Sequence, residues 1–358
     1  MAGTGFIAQI GTGSPLIVAL RVDMDASLPL QIPVILVRSG RVKIHKFGSD
    51  LRFSSNNDPV QVSSGVTHLG AAKLLDQRKD NLKGTVQLIF QPAEEGGAGA
   101  SNMIKEGALS GAEAIFAMHV DYTIPTGIIA TLAGPMMAAA GFFAARIHGK
   151  GGHAAEPHNS VDPILAASSI VLALQQLISR ELDPLLIYVL SVTYVKDGIG
   201  GEALNVIPAY VELGGTLRSL TTEGLQRLQQ RVKEVVEGQA VVHRCKALVD
   251  LKQDEFPPVP ATINDEALIN HVDKVGSMLL GPHGVKVGQK VMGGEDFALY
   301  QQVIPGVFFR IGIRNDVIGS IHPIHSPYFF LDEDVLLIGA ALHTSIAELY
   351  LIEHQSPS

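Results

Sequence analysis

The stretch LIFQPAEEGGAGA, residues 88–100, decides how the rest of the chain is read. An apolar run that begins at Thr85 has the length and composition of a buried strand. Pro92 stops it, two adjacent carboxylates follow at Glu94 and Glu95, and a glycine-rich segment comes next. Two negative charges side by side where a buried strand ends make either a solvated turn or one half of a cation-holding pocket.

Outward from this point, strand-like and helix-like segments alternate. LIVALRVDMD reads as a buried strand ending in acids, GAAKLLDQRKDNL has helical spacing, TVQLIF is a strand, GASNMIKEGAL a helix and AEAIFAMHV another strand. That alternation predicts an α/β domain, a mostly parallel sheet with helices on both faces. Functional residues of such sheets gather at the carboxyl ends of the strands, where Asp23, Asp25, Glu94, Glu95 and His119 are expected. The rhythm changes from about Ala138 to Val249. SVDPILAASSIVLALQQLISREL reads as a long amphipathic helix with Ser160 available as its N-cap, and TTEGLQRLQQRVKEVVEGQA as a second helix. Two strand–helix–strand units there predict a small α+β sandwich. The expected organisation is a catalytic domain over 1–137 and 250–358, interrupted by a satellite domain over 138–249. Residues 32–67 fit neither, carrying turn residues without helical periodicity or neat strands.

Composition narrows the function. The chain has 358 residues, 46% hydrophobic and 17% charged, which is a globular composition. A net charge of -8 without a Lys/Arg cluster argues against a nucleic-acid partner. No apolar run is read as long enough to span a bilayer, and the start lacks the basic and small-residue pattern of a signal peptide. A single cysteine, Cys245, excludes an internal disulfide framework.

Adjacent glutamates suit a division of labour in a metal-dependent hydrolase. One carboxylate binds the ion while its neighbour takes a proton from the attacking water. His119, at the end of AIFAMHV, and His325, in SIHPIHSPYF, supply imidazoles of the type that Zn²⁺ or Mn²⁺ prefers. GGAGASN could instead cradle a phosphate. However, no Lys-Ser/Thr follows, the spacing is not G-x-G-x-x-G, and two carboxylates at the entry would repel the ligand.

The segments ALRVDMDASLPLQ, LGAAKLL, GTVQLIFQPAEEGGAGA, AIFAMHV, GKGGHAAEPHNSVDPILAAS, EALNVIPAYVELGGTLRS, MGGEDFALYQQVIPG and HSPYF together resemble the M20 peptidase family. The likeness is to its amidohydrolase branch, which includes plant auxin–amino acid conjugate hydrolases and bacterial hippurate hydrolases. It covers most of Ile10 to Glu353 apart from residues 32–67. The resemblance implies a ferredoxin-like satellite domain that dimerises and hydrolysis of the amide bond of a small N-acyl amino acid. Glu94 is then the general base on metal-bound water, and Glu95, His119 and His325 are ligands of a site for one or two Mn²⁺ or Zn²⁺ ions. It also gives Asp25 an orienting role beside the metals. His153, Asn205 and Arg218 become substrate-binding residues, for the oxyanion, the carbonyl and the carboxylate.

One element of the family pattern is missing. A Cys-Gly-His-Asp-x-His motif normally precedes LGAAKLL, and counting back places it near residues 59–64, which read PVQVSS. None of those side chains replaces a thiolate or an imidazole, and His45 and His68 are the histidines nearby. The alternative expectation is therefore a catalytically impaired family member, retained as a dimeric scaffold.

Overall fold

The computed structural model describes residues 5–13, 15–24, 43–46, 59–95, 99–198, 203–324 and 326–355. In chain order the first elements are strands β1 (Phe6–Gly11), β2 (Ile17–Asp23) and β3 (Lys43–Lys46), then helix α1 (Pro59–Arg78). Strand β4 (Thr85–Gln91), α2 (Gly99–Lys105), β5 (Ala112–Pro125) and β6 (Ile129–Thr131) follow. Next come β7 (Ala139–His148), α3 (Pro163–Gln176), β8 (Tyr188–Asp197), β9 (Tyr210–Ser219), α4 (Thr222–Val242) and β10 (Lys246–Asp250). The last are α5 (Glu266–Leu280), β11 (Val285–Val287), α6 (Phe297–Gln301), β12 (Gly306–Arg314) and α7 (Asp334–Glu353).

These elements form two compact units. One comprises the described residues of Met1–Met136, Thr262–Lys290 and Glu295–Ser358, the other Met137–Ala261 with Val291–Gly294. In the first, a sheet runs in the order β11-β6-β12-β5-β2-β4-β1-β3. Its centre, β12-β5-β2-β4, is parallel throughout, while β1 lies antiparallel to β4 and β3. All seven residues of β4 are buried, as a strand covered on both faces requires. Burial of Leu88, Ile89 and Phe90 contributes about 1.5–3 kcal/mol each. In the second unit, β8-β9-β7-β10 is an antiparallel sheet against which α3 and α4 pack, the order of a ferredoxin-like sandwich.

Several expectations are corrected. Helix α1 begins at Pro59, inside the stretch read as irregular, and β3 gives that stretch a strand. A proline at the first helical position loses no bond, since its N–H would be unpaired there anyway. The rest of 32–58 lies outside the described residues. Asp162, not Ser160, caps α3, its carboxylate accepting from the amides of Ile164 and Leu165 with Pro163 at the first helical position. Pro163–Glu181 and Asp334–Glu353 are both long and apolar enough to cross a membrane by composition. Helix α7 packs on α1 and buries Leu342, Ile346 and Leu351 in the core of the first unit.

Candidate active site

An arginine in the middle of the apolar strand IVALRVD must have partners, because an unpaired buried charge is too costly to keep. Arg21 on β2 is 3% exposed and lies 3.0 Å from Asp296 Oδ1 and 3.2 Å from Glu295 Oε1. Its Nε donates to Gln91 Oε1 at 2.9 Å, and Gln91 Nε2 donates to both Asp296 oxygens at 2.8 and 2.7 Å. Parallel register sets this meeting, with Asp23 of β2 level with Gln91 of β4 at their carboxyl ends. Burial pulls the guanidinium pKa down, but Glu295, Asp23, Asp296 and Glu94 outweigh it and hold Arg21 above its ordinary value.

The paired glutamates follow directly. Pro92 offers no N–H to extend β4, and Ala93 turns into the left-handed region at φ 59. Glu94 and Glu95 sit in the resulting turn, Glu94 partly buried and Glu95 exposed. Burial, with Glu295, Asp23 and Asp296 adding their charge, pushes Glu94 up to about 10 against the pull of Arg21. Asp296 is raised to about 6, by burial first. Oxygens of Glu94, Glu295 and Asp296 all lie within 4.8 Å of one another. Four lone-pair directions of Asp296 are taken, by Arg21, by Gln91 twice and by the Ala100 amide at 3.0 Å. Asp296 is therefore not available to an ion.

His119 lies inside β5 and not at its end as expected, because β5 runs on to Pro125 beside β12. Relative to β2, though, it stands beyond the last pair, Arg21 with Ala117. Its Nδ1 is 2.8 Å from the Val120 carbonyl, which can only accept, so Nδ1 carries the hydrogen and Nε2 keeps its lone pair. Burial lowers its pKa and keeps the ring neutral, helped by Arg21 and Arg310 and opposed by the Val120 bond. Asp25 and His325 lie outside the described residues.

Three further residues belong to the second unit. Gly152–His153 pairs antiparallel with Val206–Ile207, and the Ala154 amide donates to the Asn205 carbonyl at 2.9 Å, so the exposed His153 and Asn205 lie side by side on one two-stranded sheet. His153 Nδ1 accepts from the Ala155 amide at 3.1 Å. Arg218 is on β9, in the other sheet of this unit. Its guanidinium donates to the Thr216 hydroxyl at 3.1 Å and the Met292 carbonyl at 3.3 Å. Among the described residues no carboxylate pairs with it, and burial lowers its pKa.

The sequence profile of peptidase family M20/M25/M40 matches residues 62–349. IAA-amino acid hydrolase ILR1-like 2 of Arabidopsis thaliana is 47% identical over 359 aligned positions, 99% of this chain and 77% of that protein. The chain belongs to peptidase family M20/M25/M40. N-acetylcysteine deacetylase of Bacillus subtilis strain 168 is 38% identical over 97% of this chain and 85% of its own. A dinuclear metal-binding peptidase of the M20 family from Bacillus subtilis has a TM-score of 0.73 at 32% identity, covering 97% of this chain and 85% of that one. As an M20 member the chain is a hydrolase of the amidohydrolase kind, a class that uses divalent metal ions.

Among the described residues of this M20 chain, the carboxylates whose oxygens lie together are Glu94, Glu295 and Asp296, a group that does not include Glu95 or His119. A cation placed beside Glu94 would offset the neighbouring carboxylates that, after burial, raise its pKa. His119 is neutral, with the lone pair that a metal needs. Sequence reasoning missed Arg21, Gln91 and the roles of Glu295 and Asp296. The signal was present in part, since an arginine among buried aliphatics and the GGEDF segment both ask for partners.

Proposed function

We propose that this M20 chain hydrolyses the amide bond of N-acyl amino acids, of the auxin-conjugate type, with Mn²⁺ or Zn²⁺ as cofactor. The observation that carries the reading is the Pro-Ala-Glu-Glu turn at the carboxyl end of a central parallel strand, which sets Glu94 against buried carboxylates and Arg21. The names of relatives such as IAA-amino acid hydrolase ILR1-like 2 supply the substrate class.

Glu95 and His119, with His325, would hold the ion, which supplies Lewis-acid polarisation of the scissile carbonyl and a more acidic water. Glu94 takes the proton from the attacking water and hands it to the leaving nitrogen. Its raised pKa suits the second half of that task; Arg21 pulls the other way, and a bound cation would add to that pull and favour the ionised form needed for the first. Asp25 orients the ligands. His153 donates to the developing oxyanion and Asn205 to the substrate carbonyl. Arg218, without a carboxylate among the described residues, takes the carboxylate of the amino-acid product. The second unit would also provide the surface for a homodimer.

The test is hydrolysis of indole-acetyl and benzoyl amino acids with added Mn²⁺ or Zn²⁺. Glu94→Gln is expected to lower kcat about 10²–10⁴-fold with little change in fold. Equal turnover in Glu94→Gln rejects the role. A second reading, an inactive dimeric scaffold, is favoured by PVQVSS at 59–64, where the family places a cysteine and histidines. Wild-type protein that folds, takes up no ion and turns over none of these amides would establish it.

A further inference from the structure

We propose that Asp296 is a positioning residue whose carboxylate clamps both ends of the turn carrying Glu94 and Glu95. The inference rests on the reading of Glu94 as the reacting carboxylate, and it names what holds that group in place.

The turn leaves β4 at Gln91 and enters α2 at Gly99–Ala100. Asp296 grips both sides. Gln91 Nε2 donates to its two oxygens at 2.8 and 2.7 Å, and the Ala100 amide donates to Oδ2 at 3.0 Å. Arg21, anchored in the middle of β2, donates to Oδ1 at 3.0 Å and to Gln91 at 2.9 Å, so the clamp is fixed to the sheet.

The position of Asp296 on its own helix supports the same conclusion. It stands at the N-cap of α6, where an aspartate usually accepts from its own helix amides. It makes no such bond. The Phe297 amide donates to Glu295 instead, at 3.1 Å, which leaves the Asp296 acceptors for the turn.

The turn also needs holding. Ala93, immediately before Glu94, sits at φ 59, a conformation that a Cβ disfavours. Its carbonyl accepts from the Gly99 amide at 3.1 Å. Gly99 passes so close to the other limb that a Cβ there would lie 1.7 Å from the Pro92 carbonyl oxygen. A neck this narrow, with a strained residue in it, opens readily once its ends are released.

Amide hydrogen exchange on the full-length, metal-free protein tests the clamp, read by mass spectrometry over peptides spanning 91–101. Asp296→Asn keeps the shape but turns an amide NH₂ toward donors. Exchange in those peptides is expected to rise about tenfold while β2 and β5 stay protected. Gln91→Met leaves the Arg21–Asp296 ion pair and should give a smaller rise in the same peptides, which decides the matter should Asp296→Asn not fold. Where the wild type turns over substrate, both variants should lower kcat with KM within about threefold. Unchanged exchange in 91–101, or a rise shared equally by β2 and β5, overturns the clamp. Because exchange is read without metal or substrate, this outcome is independent of whether the chain proves active.

Discussion

Arg21 on β2 and His68 on α1 are both buried in the first unit, and they differ in what surrounds them. Gln91 of β4 and Glu295 and Asp296 of the segment that opens α6, which pair with Arg21, are themselves buried and polar. His68 instead stands edge-on to His343 of α7 at 5.3 Å and to Phe90 at 4.9 Å. Among the described residues, neither ring nitrogen of either histidine has a hydrogen-bond partner. A charge with a full set of partners makes a rigid node on which a turn can be hung. Two unpartnered imidazoles in an apolar setting only weaken the core that holds them. Buried polarity therefore identifies a working site only when its partners are counted.

The comparison breaks first at Arg21. Arg21→Met leaves Asp296 and Glu295 buried without their cation and should destabilise the protein by about 3–5 kcal/mol in urea unfolding. A loss below about 1 kcal/mol would mean that the network is not the node described.

The histidine side is sharpened by acid. Burial holds His343 down to about 4, and burial, His343 and Arg21 hold His68 well below its ordinary value. Between pH 6.5 and 4 the unfolded chain takes up a proton at position 343 that the folded chain refuses. That share of stability, about 3 kcal/mol, is present above pH 6.5 and lost as pH falls to about 4. Glu94, raised to about 10, works in the opposite sense, because its folded form holds a proton that the unfolded chain releases. The measurement is therefore the difference in unfolding free energy between His343→Leu and wild type. It should grow by about 3 kcal/mol in favour of the variant from pH 6.5 to 4. A difference that stays constant with pH would show that the imidazole is not held neutral by the core.

Much of the fold was legible because it is local. The apolar run into Pro92 and the alternation of strands and helices each depend on neighbours in sequence. The start of α1 was not legible, since residues 59–67, PVQVSSGVT, have no apolar periodicity. Of the candidates, Glu94 and Glu95 could be picked out by adjacency and His119 by its place in an apolar strand, and Glu94 is the one that lies with the buried carboxylates. The pairing of Arg21 with Asp296 was not legible, because 275 positions separate the two and only the folded chain brings β2 beside the segment that opens α6. Asp162 displaced Ser160 as the cap of α3 because it directly precedes the proline that opens the helix.

The most direct test of the metal-site reading is calorimetric titration of Mn²⁺ into chelator-treated protein, beside the Glu95→Ala and His119→Ala variants. Saturable binding in the wild type, weakened at least about a hundredfold in either variant, is the expected result. No binding to folded wild-type protein, or equal binding in all three, would contradict it.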